Sequence, residues 1–275
     1  MPSKGKSVTI NDVAEAAGVS KSIVSYALNG RPEVNENTRE RVLKVARDLG
    51  WTPSLRGRSL SSSRAYAVGL VFQRPPEVLA TDQYFTGFMA GAQSVLEKRH
   101  YSLVTEIVRD SDEEIAAYER LGRERVDGFF LVDFHDADRR AEVIRRHGLS
   151  AVSLGGSAVS PGSPLMHSDS GPAIDAVVEQ LTSLGHTRIA QVAGPQTLVS
   201  SRARRVWYQE ALAARGIDAD LWFEGDYTLA SGYEQTRLLL ARAPQTTAII
   251  YSNDLMVMAG MKRAVEYGRR VPDDL

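Results

Sequence analysis

The apolar positions in the first fifty residues recur with the spacing of three short α-helices. The first lies over residues 9–17, the second runs from about Ser20 to Leu28, and Gly50 ends the third. Gly18 permits a tight turn between the first two helices, because a side chain there would crowd the backbone. The pattern predicts one small three-helix core, and the residues suited to cap the three N-termini are Thr9 or Asn11, Ser20, and Asn35 or Asn37.

From Tyr66 the pattern changes to short apolar runs that alternate with amphipathic segments. It predicts strands over 65–72, 101–108, 126–132, 150–155, 188–194, 221–225 and 247–252. It predicts helices near 84–99, 112–122, 137–147, 171–184, 201–215, 229–242 and 254–267. Such alternation indicates parallel sheets covered on both faces, and a restart after the loop at 156–168 indicates two doubly wound subdomains. We expect a ligand crevice at the carboxyl ends of the strands.

The residues between the two patterns have the composition of a linker. The segment TPSLRGRSLSSSR, residues 52–64, is rich in serine, and Leu55 and Leu60 are its only large apolar residues. Pro53-Ser54 could begin a short helix there, which Gly57 and the three serines would weaken. We therefore divide the chain into a helical head (1–52), a linker or hinge helix (53–64) and an α/β body (65–275).

Charge separates the head from the body. The 275 residues carry a net charge of -1. Residues 1–64 hold eleven Lys and Arg against six Asp and Glu, and the remainder holds twenty-two against twenty-eight. A basic head of about +5 on an acidic body of about -6 is typical of a protein with one DNA-facing end.

The chain also lacks several features that would point to other classes of protein. It has no cysteine, so disulfides and thiolate metal sites are excluded. No signal-peptide core and no membrane-length apolar run is present, so we expect a cytoplasmic protein without a membrane partner. The motifs of phosphate loops, zinc proteases and serine hydrolases are missing, and we predict no catalytic residue, no metal and no cofactor.

The two helices around Gly18 fit a helix-turn-helix whose second helix enters a DNA groove. The first residues of such a helix reach base edges, while neighbouring groups hold phosphates. Lys21 can donate to guanine or phosphate, Ser22 can bond a base edge, and Tyr26 can reach either. Each residue alone fits an ordinary solvated position equally well, and the turn and the basic charge favour DNA. The predicted DNA-binding residues of the head are Thr9, Ser20, Lys21, Ser22, Ser25, Tyr26 and Asn29.

Several ordered strings resemble the lactose/purine repressor (LacI/GalR) family. They are INDVAEAAGVSKSIVSYALNG, TRERVLKVARDLGWTPS and RGRSL in the head and linker. In the body they are DQYFTGFMAGAQ, VDGFFL, SAVSLG, LTSLGHTRIAQVAGP, RVWYQEAL and TAIIYSNDLMVMAGMKRAVEYG, in the order of the family. The resemblance covers essentially the whole chain and implies a periplasmic-binding-protein-like body.

For the head, the resemblance implies a homodimer that reads a pseudo-palindromic operator in double-stranded DNA. The linker would become a hinge helix on DNA, with Leu60 wedged into the central minor-groove step and Arg58 also at the DNA. Gly57 stands where the family usually has alanine, which should weaken the hinge helix by up to about 1 kcal/mol. The alternative is that Leu60 packs against the body as a tether.

For the body, the resemblance implies a small polar effector, a sugar in the first instance, although nucleobases are also bound within the family. The implied effector-binding residues are Tyr84, Phe85, Asp169, Arg204 and Asn253. Tyr84 and Phe85 could instead be core, and Arg204 could belong to a solvated basic face with Arg202 and Arg205. Asp254 is expected to cap a helix, and Trp207 replaces a common glycine and could narrow the crevice.

Two further points bear on this interpretation. Family chains continue past VPDDL, so we expect the second subdomain to lack its closing elements, with the chain truncated at Leu275. The alternative to a regulator is a cytosolic carbohydrate-binding or carbohydrate-processing enzyme with an accessory helix-turn-helix. A sugar-turnover assay distinguishes the two. Whether the effector induces or co-represses is left open.

The wedge hypothesis predicts the behaviour of Leu60→Ala. We expect lower affinity for the specific operator and unchanged weak, salt-sensitive binding to random duplex, because only the specific complex uses the kinked step. Competition binding at several salt concentrations measures both. If operator affinity is unchanged, Leu60 is not the wedge.

Overall fold

The computed structural model describes residues 8–28, 31–51, 64–123, 125–156, 163–166 and 169–275. The chain divides into two units, Met1–Arg64 and Ala65–Leu275. The predicted residues Asn29, Arg58 and Leu60 lie outside the described residues.

The first unit contains the three predicted helices α1 (Ile10–Ala17), α2 (Lys21–Leu28) and α3 (Glu36–Asp48). Thr9 caps α1 in a reciprocal capping box, in which its amide donates to the Asp12 carboxylate at 2.7 Å. Gly18 ends α1 at φ 62°, a left-handed conformation that glycine adopts without strain. The apolar faces of the helices meet in one core, formed by Val13, Ala14, Ala17, Val24, Ala27, Val34, Val42 and Ala46.

The second unit begins with a five-stranded parallel sheet in the order β2-β1-β3-β4-β5. Its strands are β1 (Ala67–Phe72), β2 (Ser102–Ile107), β3 (Gly128–Leu131), β4 (Ser150–Leu154) and β5 (Leu165–Met166). The helices α4 (Pro76–Thr81), α5 (Gln83–Glu97), α6 (Ser111–Gly122) and α7 (Arg140–Arg146) connect them. We call these elements the first subdomain.

The second subdomain is a three-stranded parallel sheet in the order β7-β6-β8. Its strands are β6 (Ile189–Ala193), β7 (Trp222–Glu224) and β8 (Ala248–Tyr251). Its helices are α8 (Gly171–Ser183), α9 (Val199–Ala213), α10 (Leu229–Arg242) and α11 (Asp254–Glu266). The predicted doubly wound pair of subdomains is therefore present, and within the described residues no helix is long and apolar enough to cross a membrane.

The structure corrects the sequence prediction in two short elements and one cap. Helix α4 was not predicted, because its Pro75-Pro76 start suggests a break, although proline is well suited to the first turn of a helix. Strand β5 is two residues long, which is too short to show a period. Asp254 does not cap α11: Asn253 does, through the amide of Met256 at 3.1 Å, and Asp254 is the first helical residue.

A buried ionic cluster in the first subdomain supports the loop after β3. Arg140 is 1% exposed and bonds the carboxylates of Asp138 and Glu114, the latter at 3.2 Å. It also donates to the backbone oxygens of Val132 at 2.7 Å and Asp133 at 3.4 Å. Burial opposes the charge of Arg140, but the bonds to Asp138 and the surrounding negative charges outweigh it and raise the pKa of this guanidinium. Burial raises the pKa of Glu114.

The cluster predicts a large cost for Arg140→Met. Losing the cation leaves two carboxylates and a buried carbonyl without their partner, so we expect the free energy of unfolding to fall by about 3–5 kcal/mol. Urea unfolding followed by circular dichroism measures it. The matched control is Arg146→Met on the same helix, whose 57%-exposed side chain pairs with Glu119 and Glu142, and its cost should stay below about 1 kcal/mol. Equal costs for the two variants would contradict the structural role of Arg140.

Candidate functional site

Helix α2 presents a polar surface at its N-terminal half. Val24 and Ala27 are buried in the core of the head, whereas Lys21, Ser22 and Tyr26 are exposed. The structure thus places these three predicted DNA-binding residues in solvent on the helix that follows the turn. The guanidinium of Arg31 lies 5.5 Å from the centre of the Tyr26 ring and adds a positive charge beside it.

The other described residues of the predicted DNA-binding set take part in local structure. Ser20 accepts a hydrogen bond from the amide of Ile23 at 3.3 Å and so caps α2. The hydroxyl of Thr9 donates to the Asp12 carboxylate at 2.7 Å. Ser25 is half-buried and has an interaction within the protein. A phosphate contact by Thr9 or Ser25 would be made in addition to these bonds.

The body contains a cavity of about 450 Å³ at the carboxyl ends of strands from both sheets. A cavity of this volume suits a small-molecule ligand, since such sites measure roughly 300–1,000 Å³. The ends of β1, β3 and β4 contribute one wall, and the loops after β7 and β8 together with α9 contribute the other. The side chains that line the cavity include Arg74, Tyr84, Phe85, Asp133, Arg204, Trp207, Tyr227 and Asn253.

The predicted ring pair, Tyr84 and Phe85, divides between two environments. Phe85 is 5% exposed and meets Phe72 edge-to-face at 5.1 Å between ring centres, so it belongs to the core and to the cavity wall together. Tyr84 is 65% exposed and touches Phe85 at 5.2 Å between ring centres. The core alternative therefore describes Phe85 alone, and Tyr84 is free to contact a ligand.

Arg204 differs from the arginines beside it. Within the described residues it has no hydrogen bond or ion pair, and it lines the cavity. Arg202, by contrast, pairs with Asp136 at 2.6 Å and donates to the carbonyl of Gln196 at 2.7 Å. Arg205 stacks on Trp222 at 3.7 Å from the ring centre. The three side chains do not form one solvated basic face, and Arg204 has its full set of donors available.

Asn253 and Asp169 are bound within the protein itself. The side-chain oxygen of Asn253 caps α11, and its amide nitrogen donates to the carbonyl of Tyr227 at 2.9 Å. It lines the cavity, so a ligand bond to it would be added to these two. Asp169 is exposed, accepts from the amide of Gly171 at 2.9 Å, and is not among the residues that line the cavity.

Trp207 and Asp169 lie close together, on either side of Gly171. Trp207 lines it, and a Cβ atom on Gly171 would lie 3.4 Å from the Trp207 ring and 3.1 Å from the Asp169 carboxylate. The indole therefore lies close to Asp169. The expectation that Trp207 narrows the crevice stays a prediction.

The sequence interpretation missed an ion pair in the wall. Arg74 follows β1 and Asp133 follows β3, and two parallel bonds of 2.6 Å and 2.5 Å join their side chains. The side chains are 11% and 13% exposed. Burial opposes the charge of Arg74, but the bonds to Asp133 outweigh it and raise the pKa of the guanidinium. The available signal was positional, since each residue directly follows one of two neighbouring parallel strands.

The wall also contains strained backbone. Asp133 has φ 54° and Tyr227 has φ 70°. Both values lie in the left-handed region, which residues other than glycine rarely adopt. Such residues persist where the surrounding structure fixes them and are concentrated at ligand sites. Within the described ranges no three His, Asp or Glu residues are grouped so that they could hold a metal ion.

Comparison with known families matches both units. Residues 9–54 match the family described as "Bacterial regulatory proteins, lacI family", and residues 178–275 match "Periplasmic binding protein-like domain". The transcriptional regulator CelR of Thermobifida fusca is 33% identical over 279 residues, which cover 97% of this chain and 80% of CelR. The regulator AglR of Rhizobium meliloti (strain 1021) is 30% identical, over 98% of this chain and 76% of AglR.

Solved structures show the same relationship. A CelR–cellobiose complex has a TM-score of 0.69 at 31% identity and covers 97% of this chain and 80% of its own. The Lac repressor dimer bound to operator and the anti-inducer ONPF has a TM-score of 0.78 at 28% identity and covers 98% of this chain and 81% of its own. The resemblance and fold class predicted from the sequence are confirmed.

Proposed function

The chain belongs to the LacI family of DNA-binding transcriptional regulators, and from this we propose that it is a repressor whose dimer reads a pseudo-palindromic operator under the control of a sugar. Members of the family are regulators rather than enzymes. The observation that carries the proposal is the pairing of an exposed, polar α2 with a separate α/β unit that holds a ring-lined polar cavity. A regulator acting on chromosomal DNA would work in the cytoplasm.

The DNA-reading part of the proposal rests on α2. Lys21 and Ser22 occupy the first turn, where a recognition helix meets base edges, and Tyr26 lies about one turn further on. The net charge of about +5 over residues 1–64 favours phosphate binding. Thr9, Ser20, Ser25 and Asn29 are proposed to contact the phosphate backbone or neighbouring bases, and Arg58 and Leu60 the minor groove.

The effector part rests on the chemistry of the cavity wall. The apolar faces of a sugar ring pack on aromatic side chains, and its hydroxyls need hydrogen-bond donors and acceptors. Tyr84, Phe85 and Trp207 supply rings, and the guanidinium of Arg204, which has no partner among the residues that the structure describes, supplies donors. CelR, one of the most similar regulators, has been solved with cellobiose. Asp169 and Asn253 are proposed to accept from or donate to ligand hydroxyls at the margin of the site.

The homodimer is supported by exposed apolar side chains on two helices of the body. On α11 Met258, Met261 and Val265 are 62%, 48% and 59% exposed and recur at helical spacing. On α5 Val95 is 52% exposed. Apolar stripes of this kind on a folded surface favour a protein partner. In a symmetric dimer the same stripes of both copies would be buried against each other. The related Lac repressor has been solved as a dimer on its operator.

Control of DNA binding by the effector follows from linkage. If the effector favours one arrangement of the two subdomains, and that arrangement changes how the dimer holds its heads, then the effector changes the affinity for the operator. By linkage, the operator changes the affinity for the effector by the same free energy. The proposal leaves open whether the sugar releases the repressor or strengthens it.

Selection from random DNA tests the proposed operator reading. The 275-residue chain is incubated with a pool of short duplexes at several salt concentrations, and the retained fraction is sequenced. We expect a palindrome with a central pyrimidine–purine step, because such steps are kinked most easily. Enrichment of no sequence, with binding that only falls as salt rises, would contradict sequence-specific reading by a dimer.

Arg204→Ala tests the proposed effector site. A sugar panel that begins with cellobiose is screened for a change in operator affinity of the wild type. We expect the variant to need roughly 10–100-fold more of the active sugar, because charge-assisted hydrogen bonds contribute about 1.5–3 kcal/mol, while DNA binding without sugar is unchanged. The control is Arg237→Ala, since Arg237 is a partly exposed arginine that pairs with Glu234 on α10. A variant that responds at the wild-type concentration would remove Arg204 from the site.

A further inference from the structure

Residues 73–82, between β1 and α5, belong to the first subdomain in sequence and contact both subdomains. We call them the bridging segment. Consecutive residues of its short helix α4 enter different cores. Val78 is 1% exposed and packs in the core of the second subdomain, among Val192, Leu239 and Met256. Leu79 is 7% exposed and packs in the first subdomain, among Leu70, Phe72 and Phe85. A segment that belongs to the first subdomain in sequence therefore completes the core of the second.

Arg74 makes a second connection from the same segment. Its bonds to Asp133 fix the plane of the guanidinium in the first subdomain, because two parallel bonds leave it no rotation. The ring centre of Phe85, in the first subdomain, lies 5.2 Å from its central carbon, and that of Tyr227, in the second subdomain, lies 4.6 Å from it. The guanidinium thus links an aromatic ring of each subdomain.

Tyr227 is a fixed partner for this contact. It is 4% exposed, and its carbonyl accepts the hydrogen bond from Asn253 at 2.9 Å. Its ring lies so close to Gly194 that a Cβ atom there would overlap it. Arg74 therefore contacts a residue of the second subdomain that is fixed by its own surroundings. A movement of the subdomains relative to each other must break the contact between the Arg74 guanidinium and the Tyr227 ring.

We propose that the bridging segment sets the opening of the cavity through Val78 and Arg74, with Arg74 as the positioning residue. Other connections between the subdomains exist among the described residues: the amide of Val199 donates to the carbonyl of Phe134 at 2.9 Å, and Arg202 pairs with Asp136 at 2.6 Å. Connections at separate places restrict rotation more than a single one does, so the subdomains are held in one arrangement. Arg74, Asp82, Tyr84 and Phe85 also line the cavity, so a ligand bound there lies directly against the segment that joins its walls.

The distance between spin labels on the two subdomains tests the proposal. The chain contains no cysteine, so cysteines introduced at exposed Arg145 of α7 and Glu179 of α8 are labelled specifically. The labelled 275-residue chain is diluted in unlabelled chain, so that pairs within one protomer dominate, and distances are measured by pulsed electron spin resonance. Neither DNA nor effector is present, so this result is independent of the proposed function.

Val78→Ala and Leu79→Ala form a matched pair. We expect one narrow distance distribution for the parent and a distribution about twofold broader for Val78→Ala, because that variant loses the contact to the second core. Leu79→Ala loses more apolar volume from the first core and should lower the melting temperature more, with the distribution unchanged. Unchanged width in Val78→Ala, or equal broadening in both variants, would overturn the proposal.

Arg74 gives an independent comparison that does not depend on core volume. Arg74→Gln should broaden the distribution as Val78→Ala does, and Arg74→Lys should not restore it, because an ammonium group keeps the charge but lacks the planar fork and face. Arg109→Gln is the control, since that arginine is exposed and pairs only with its helical neighbour Glu113 among the described residues. Parent-like distances in Arg74→Lys would mean that charge alone acts, and parent-like distances in Arg74→Gln would remove Arg74 from the connection.

Discussion

In a parallel sheet each strand is followed by a crossover that returns the chain to the same starting edge, so all the strands end at one edge. In this body two such edges face one cavity, and most residues of its wall follow a strand or lie at the start of a helix, whereas Arg204 and Trp207 lie further along α9. Arg74 and Asp133 can form their paired bonds because β1 and β3 are neighbours in the sheet. Arg140 then fixes the loop after β3, because its guanidinium donates to the carbonyls of Val132 and Asp133. The cavity is thus a consequence of strand direction, and the buried charges keep its floor in place.

The local parts of this architecture were predictable from the sequence, because they depend on neighbours along the chain. The three head helices, the caps at Thr9, Ser20 and Asn35, and the turn at Gly18 follow from spacing and hydrogen-bonding capacity within a few residues. The alternation of strands and helices in the body is equally local, and the two sheets follow from it. The order of the strands within each sheet requires the tertiary structure.

The sequence could not predict which residues of the cavity wall are engaged in bonds within the protein and which are available to a ligand. Asn253 and Asp254 are both suitable caps, and only the bonds to Met256 and Tyr227 decide between them. Arg202, Arg204 and Arg205 are chemically alike in the sequence, and what distinguishes them is whether a partner lies within reach. The roles of Val78 and Leu79 are still less accessible, since two adjacent apolar residues give no sign that they enter different cores.

The bonds of Asn253 have an evolutionary consequence. This side chain caps α11 and holds the backbone of Tyr227, so a substitution that altered its proposed ligand contacts would also disturb a helix start and the loop of Tyr227. Arg204 and Tyr84 have no such duties: the first has no partner among the described residues, and the second is largely exposed. The wall is therefore divided into positions free to vary and positions held by the fold. We expect a lineage that acquires a new effector to change the first kind of position and to inherit the second.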